Sequence, residues 1–226
     1  MVQLCHRIVE HLEGDWPQTL WQWDLLEAEV YATILSWEDE FRRAGVLGFP
    51  DDHLPEPASA IMLARSCDVP SILPSAFYHL SRLSIDNDRH TSREAPSTEY
   101  GSLHQDCLNE GQRTADWALL STAEYISLLR GRRALTQATE MWSSLAATSI
   151  CMHTTNPCDQ SRQIALITEI RDACRRSSDV LEITRKYMSQ KDFWEGICEM
   201  CSKRLRGELH AFRQSIWTNL PAYFSL

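Results

Sequence analysis

The stretch DLLEAEVYATILSWEDEFRRAG, residues 24–45, reads as one helix. Leu25, Ala28, Tyr31, Ile34, Leu35 and Trp37 recur at steps of three and four, the period of a helix face and not of a strand. These six residues are therefore expected in the core. Asp24 is expected to cap the helix, because Glu27 three residues on would complete a capping box. Gly45 and the turn-forming run GFPDDHLPEP at 48–57 end it.

Outward from this helix the same period recurs. Leu4, Ile8, Val9 and Leu12 mark a helix over Val2–Leu12, stopped by Gly14-Asp15-Trp16-Pro17. Downstream, Ala58–Cys67 is followed by a break at Asp68-Val69-Pro70. Ser71–Leu83 then presents Ile72, Leu73, Phe77, Tyr78 and Leu80, with Pro70 and Pro74 where a first turn tolerates a missing N–H. Ser121 and Glu124 form a second capping box, opening a helix through Leu129, and Gly131 reads as a joint. Arg132–Ala147 places Leu135, Ala138, Met141, Trp142 and Leu145 on one face. Helices at 160–176, 179–188 and about 193–219 complete the pattern. No strand-like alternation and no internal repeat interrupts it. The expected fold is all-α: an irregular multi-helix bundle forming a single helical domain over 1–226. Residues 1–83 would be its N-terminal part, 84–116 a flexible loop, and 117–226 a C-terminal part stapled by zinc.

Composition narrows the class. Apolar residues are 43% and charged residues 23% of 226, with eight Gly and nine Pro, the balance of a soluble globular protein. No apolar run approaches the roughly 18 residues that cross a bilayer, and MVQLCHRIVEHLEGDW lacks the apolar core and cleavage site of a signal peptide. An intracellular location, cytoplasmic or nuclear, is expected, with no membrane partner. The net charge is -9, and residues 1–113 carry 19 acids against 8 bases. Such a surface repels a phosphate backbone unless bases cluster. The densest cluster, Arg130, Arg132 and Arg133, reads as a solvated helix junction, since no aromatics interleave with it for base stacking.

In a reducing compartment cysteines are buried hydrophobes, metal ligands or reactive thiols. Cys5, Cys67, Cys107 and Cys174 have no close cysteine neighbours and read as core residues. Cys151, Cys158, Cys198 and Cys201 are patterned, as C-x6-C and C-x2-C. Two such pairs can close a tetrahedral structural zinc site, with His153 the nearby substitute ligand. Cys198 and Cys201 would share one face near the start of the terminal helix, whose N-terminus favours thiolates. Zn2+ in a structural role is the expected cofactor.

Catalytic readings fare worse. A thioredoxin-like use of Cys198-x-x-Cys201 belongs beside a βαβ unit, and no strand is predicted. The eight His residues form no recognisable triad signature. No catalytic or cofactor-binding residue is expected, and the chain is expected not to be an enzyme. His79 in AFYHLSRL reads as packed at the edge of a core helix. Trp16, Trp21 and Trp23 could form a binding surface, although three Trp at a helix junction are more often core.

Four segments carry a family resemblance: HLEGDWPQTLWQWDLLEAEV (11–30), IMLARSCDVPSILPSAFYHLSRLS (61–84), WALLSTAEYISLLRGRRAL (117–135) and WEGICEMCSKRLRGELHAFRQSIWTNLPAYF (194–224). Together they resemble the region downstream of the BTB/POZ domain in BTB domain-containing proteins of mushroom-forming fungi. That resemblance implies an all-helical region with paired cysteines at places corresponding to Cys151, Cys158, Cys198 and Cys201. The BTB domain, roughly a hundred residues of strand and helix, has no counterpart ahead of the first helix here. The chain is therefore expected to be a fragment or a stand-alone helical module without the dimerising and cullin-docking parts.

The expected function is non-catalytic protein–protein interaction, with a zinc-dependent nucleic-acid-binding or transcription-related module as the alternative. An unidentified protein is the expected partner, and neither nucleic acid nor a small-molecule substrate is expected. The run 84–116 is polar, rich in turn formers and without a period, so it buries too little apolar surface to offset its ordering entropy. Limited proteolysis should cut there first. First cuts inside 71–83 or 117–129, located by mass spectrometry, would move the boundary between core and loop.

Overall fold

Helix α4, Leu73–Ser81, is apolar around most of its circumference, and such a helix has to be surrounded. In the structure, a computed structural model that describes residues 2–44, 54–86, 88–90, 114–147 and 160–226, it is surrounded. Ile72, Ala76, Phe77, Tyr78 and Leu80 are wholly buried and Leu73 nearly so, as their spacing predicts. Packed near it are α1 (Val2–Asp15), α2 (Leu20–Ala44) and α3 (Pro57–Cys67). Trp23 of α2 meets Tyr78 edge-on at 5.1 Å between centroids, and Trp16 meets His79 at 6.0 Å. Removing any one of the large buried side chains of α4 would cost about 2–5 kcal/mol.

Local chemistry sets the ends of these helices. Pro57 begins α3, where its missing N–H is no loss, and Glu56 caps it by accepting from the N–H groups of Ala58 (2.9 Å) and Ser59 (2.6 Å). Asp68 closes α3 in the left-handed region at φ 55°. A 3-10 turn at Pro70–Ile72 then feeds α4.

The cap of α2 differs from expectation. The helix starts at Leu20, and the capping box is Thr19 with Gln22: Gln22 N–H donates to Thr19 Oγ1 at 3.2 Å and Thr19 N–H to Gln22 Oε1 at 3.0 Å. Asp24 lies inside the helix. Glu27 is engaged elsewhere, since both its oxygens accept from Arg82, Oε2 from Nη1 at 2.7 Å and Oε1 from Nη2 at 2.6 Å. The pair is buried, with side chains 2% and 9% exposed for Arg82 and Glu27, and the guanidinium lies 4.8 Å over the Trp23 ring. Arg82 Nη2 also approaches His79 Nδ1 at 2.7 Å. Because a guanidinium only donates, Nδ1 accepts and the neutral His79 carries its proton on Nε2. His79, on the core helix α4, is packed at 0% exposure.

That pair turns a different face of α2 inward. Leu20, Trp23 and Val30 are buried beside Glu27, whereas Leu25 (43%), Tyr31 (64%) and Leu35 (45%) are exposed, as is Ala28. The expected core face is the outer face; the side chains of Ile34 and Trp37 lie outside the described residues. The tryptophans divide accordingly: Trp16 and Trp23 are core and Trp21 is 69% exposed.

The polar run 84–116 is described only at its ends. Asp88 and Ala115 form an isolated parallel bridge, and Asp116 N–H donates to Glu56 at 3.1 Å. Thr114 and Ala115 are buried. Residue 87 and residues 91–113 lie outside the described residues. After a 3-10 turn at Trp117–Leu119, the expected capping box forms: Ser121 N–H donates to Glu124 at 2.6 Å and Glu124 N–H to Ser121 Oγ at 3.4 Å. It opens α5, Thr122–Ala147, which runs unbroken through Gly131. That glycine is no break in the helix; it is a buried helical residue.

Contacts divide the chain into two compact units, Met1–Leu129 with Phe224–Leu226, and Arg130–Tyr223, the division falling inside α5. Phe224, in the first unit, stacks on Phe77 at 5.5 Å. In the second unit α6 (Gln160–Ser177) packs on α7 (Val180–Ser189), and the long α8 (Glu199–Phe224) follows. Asp179 caps α7 by accepting from Glu182 N–H at 3.1 Å. Its core is Leu166, Ile170, Leu181, Leu205, Leu209 and Ile216. The fold is all-α: among the described residues there is no strand.

Arg82→Ala should cost about 3–5 kcal/mol, because it leaves the Glu27 carboxylate buried without its partner. Arg82→Met combined with Glu27→Leu should recover much of that loss. Urea unfolding of the two variants checks both; equal losses would mean that the pair is not coupled.

Candidate metal centre

The segment that presents Cys198 and Cys201 is held from three sides within the second unit. A 3-10 turn at Asp192–Trp194 follows α7, and Trp194 is buried, donating Nε1–H to the Tyr187 carbonyl at 2.8 Å. Arg206 lies 4.6 Å over the Trp194 ring and donates to the Met188 carbonyl at 2.6 Å. Gly196 then turns at φ +78°, a conformation that glycine reaches without strain, and the aliphatic part of Arg162 is close to its Cα. Arg162 itself donates to the carbonyls of Phe193 and Glu195, both at 3.2 Å.

Cys198 follows this turn and accepts from Ser202 N–H through its carbonyl at 2.9 Å, so it caps the first turn of α8. It is half-buried. Cys201, one turn on, is 4% exposed. The Gln163 amide donates to Cys201 Sγ at 3.5 Å, and its oxygen accepts from Arg204 at 3.4 Å. Gln163 thus aims a donor at the Cys201 sulfur at the N-terminal end of α8.

Among the expected ligands, Cys198 and Cys201 are brought to one helix end, on either side of its first turn. Cys151 and Cys158, with His153, lie outside the described residues. Among the described residues no three His, Cys, Asp or Glu side chains gather as a metal site, and of the expected quartet these residues include only Cys198 and Cys201. Cys158 stands two residues before α6 in the sequence, and the third residue after the start of that helix, Gln163, touches Cys201. The parts played by Arg162 and Gln163 had no sequence signal, since polar residues at the start of a helix look like solvent-facing ones.

Of the unpatterned cysteines that are described, Cys174 is buried, as expected of a core residue, whereas Cys67 is only half-buried. Cys107 and the side chain of Cys5 lie outside the described residues. Cys174 borders a cavity of about 50 Å³ with Arg132, Thr139 and Arg175. Burial, reinforced by the Asp179 carboxylate, pushes its thiol up to about 12. Tyr187 is likewise pushed up to about 12 by burial and by its 3.0 Å hydrogen bond to Glu169. Arg132 is half-buried, and desolvation lowers its pKa.

No family model matches the chain, and comparisons with curated proteins and with solved structures also return no match.

Cys174 should resist alkylation. At pH 8, iodoacetamide should modify Cys67 well before Cys174, as read by peptide mass spectrometry, because the buried thiol keeps its proton. The same proton stabilises the fold below pH 9, where the unfolded thiol is also protonated. Above that value the unfolded state releases its proton first, and this contribution drains away as the pH rises toward 12, by up to about 1.4 kcal/mol per unit.

Proposed function

We propose that this chain is a non-catalytic protein–protein interaction module, in the manner of the helical region that follows the BTB domain in the fungal proteins it resembles. The observation that carries this reading is the outer face of α2, where Trp21, Leu25 and Leu35 expose large apolar surface on a helix whose other face is fully used by the core. Apolar stripes of this kind mark interaction sites when they are contiguous. The module works inside the cell, in cytoplasm or nucleus, where thiols stay reduced.

In this reading Cys151, Cys158, Cys198 and Cys201 hold one structural zinc ion. The ion would fasten CMHTTNPC, residues 151–158, to the first turn of α8. The Gln163 contact supports it, because that contact brings the start of α6 to the buried Cys201. Arg132 is half-buried beside the Cys174 cavity, so the Arg130–Arg133 cluster offers less to a nucleic-acid backbone than its sequence suggests.

Protein purified without chelator should carry about one zinc per chain by elemental analysis. Chelation or acid should loosen the second unit, since thiolate ligands couple metal binding to folding. Cys198→Ser with Cys201→Ser should abolish the metal, whereas Cys67→Ser should leave it. Metal near zero, or undiminished in the double variant, overturns the zinc site. Salt-sensitive retention on DNA would overturn the interaction reading in favour of the nucleic-acid alternative.

A further inference from the structure

The outward face of α2 has a register. Trp21, Leu25, Ala28, Ala32 and Leu35 are separated by alternating steps of four and three, and all five are exposed. This is the spacing of a heptad seam, narrower than the stripe by which a helix normally joins a globular core. The inward face at Leu20, Trp23, Glu27 and Val30 lies on the opposite side of the helix, so the seam is not an edge of the core. At about 1.5 Å per residue it runs for roughly 21 Å, enough to seat four turns of a second helix. Ala28 and Ala32 sit between Trp21–Leu25 and Leu35, so a facing helix can approach closely there and place its large side chains against the alanines.

The flanks of the seam carry charge of one sign. The positions that would face a partner helix are Gln22, Glu29 and Ser36 on one side and Asp24 and Tyr31 on the other. Beside the seam lies a depression of about 180 Å³ whose lining includes Glu13, Asp15, Gln22, Leu25 and Glu29. No lysine or arginine occupies these flanking positions. Self-pairing is therefore disfavoured in either direction. A parallel pair would set Asp24 against Glu29 of a second copy, and an antiparallel pair would set Glu29 against its own equivalent.

We propose that the Trp21–Leu35 face of α2 docks an amphipathic helix of a partner protein whose apolar residues repeat in heptads and are flanked by lysine or arginine. The proposal rests on the interaction-module reading and gives that module the chemistry of its partner. Apolar contact along the seam provides the attraction; the acidic flank selects the partner and fixes its register.

The test uses the full chain and two labelled synthetic helices of about three heptads. Both carry leucine at the seam positions; one has lysine at the flanking positions and the other glutamate. A scrambled peptide of the lysine composition controls for attraction to an acidic protein. Fluorescence anisotropy should show binding of the lysine helix, with the glutamate and scrambled peptides weaker by about tenfold or more. Leu25→Ser should weaken the lysine helix about tenfold and leave the urea midpoint unchanged, because Leu25 is exposed. Glu29→Lys should narrow or reverse the preference. Equal affinity for the lysine and glutamate helices overturns the basic-partner inference while leaving α2 an interaction face. Binding of neither overturns the face itself, and the zinc measurement stands apart from both results. Sedimentation equilibrium showing a dimer abolished by Leu25→Ser would make a second copy the occupant and overturn the proposal.

Discussion

The buried ion pair between Glu27 and Arg82 decides how the first unit is arranged. A carboxylate and a guanidinium taken out of water must meet in good geometry, and here two short, parallel hydrogen bonds, the Trp23 ring and His79 Nδ1 surround the charge. Glu27 stands about two turns into α2 and Arg82 directly after α4, so the pair fixes the rotation of α2 about its own axis. Once Glu27 points inward, Trp23 and Val30 follow it, and Leu25 and Leu35 are carried to the outside. The exposed seam is thus a consequence of the buried charge, not of weak hydrophobicity.

The second unit uses arginine differently. Arg162 and Arg206 donate to the carbonyls of Phe193, Glu195 and Met188 around the turn before α8, with the Arg162 stem beside Gly196 and the Arg206 guanidinium over the Trp194 ring, while Arg204 reaches Gln163 and Glu208. These contacts hold backbone that has no regular structure of its own. They place Cys198 at the cap and Cys201 one turn inward, with Gln163 donating to the buried sulfur.

Much of the fold was legible along the chain because its signals are local. The Ser121–Glu124 box and the apolar run of α4 each act within one or two turns, and each is found where the sequence puts it. The misreadings share a cause. Asp24 and Glu27 have capping-box spacing, but Thr19 and Gln22 have it too and lie one turn earlier, leaving Glu27 for Arg82. Gly131 looks like a joint in isolation, yet α5 passes through it. Of the candidate metal centre, the C-x2-C pair was legible and its placement at a helix start was expected. The supporting Gln163 and Arg162 were not, because their role depends on residues more than thirty positions away.

By itself the sequence determined that this protein is helical, where most of its helices begin and end, and which cysteines are spaced as ligands. Periodicity and capping are set by neighbours three or four residues apart, and those neighbours are written in order. Only the tertiary structure decided which face of α2 is the inside. Two apolar stripes compete on that helix, and an apolar count favours the one at Leu25, Ala28 and Leu35. The choice fell to a glutamate whose partner lies 55 residues away, since a buried charge needs its counter-charge more strictly than a leucine needs cover.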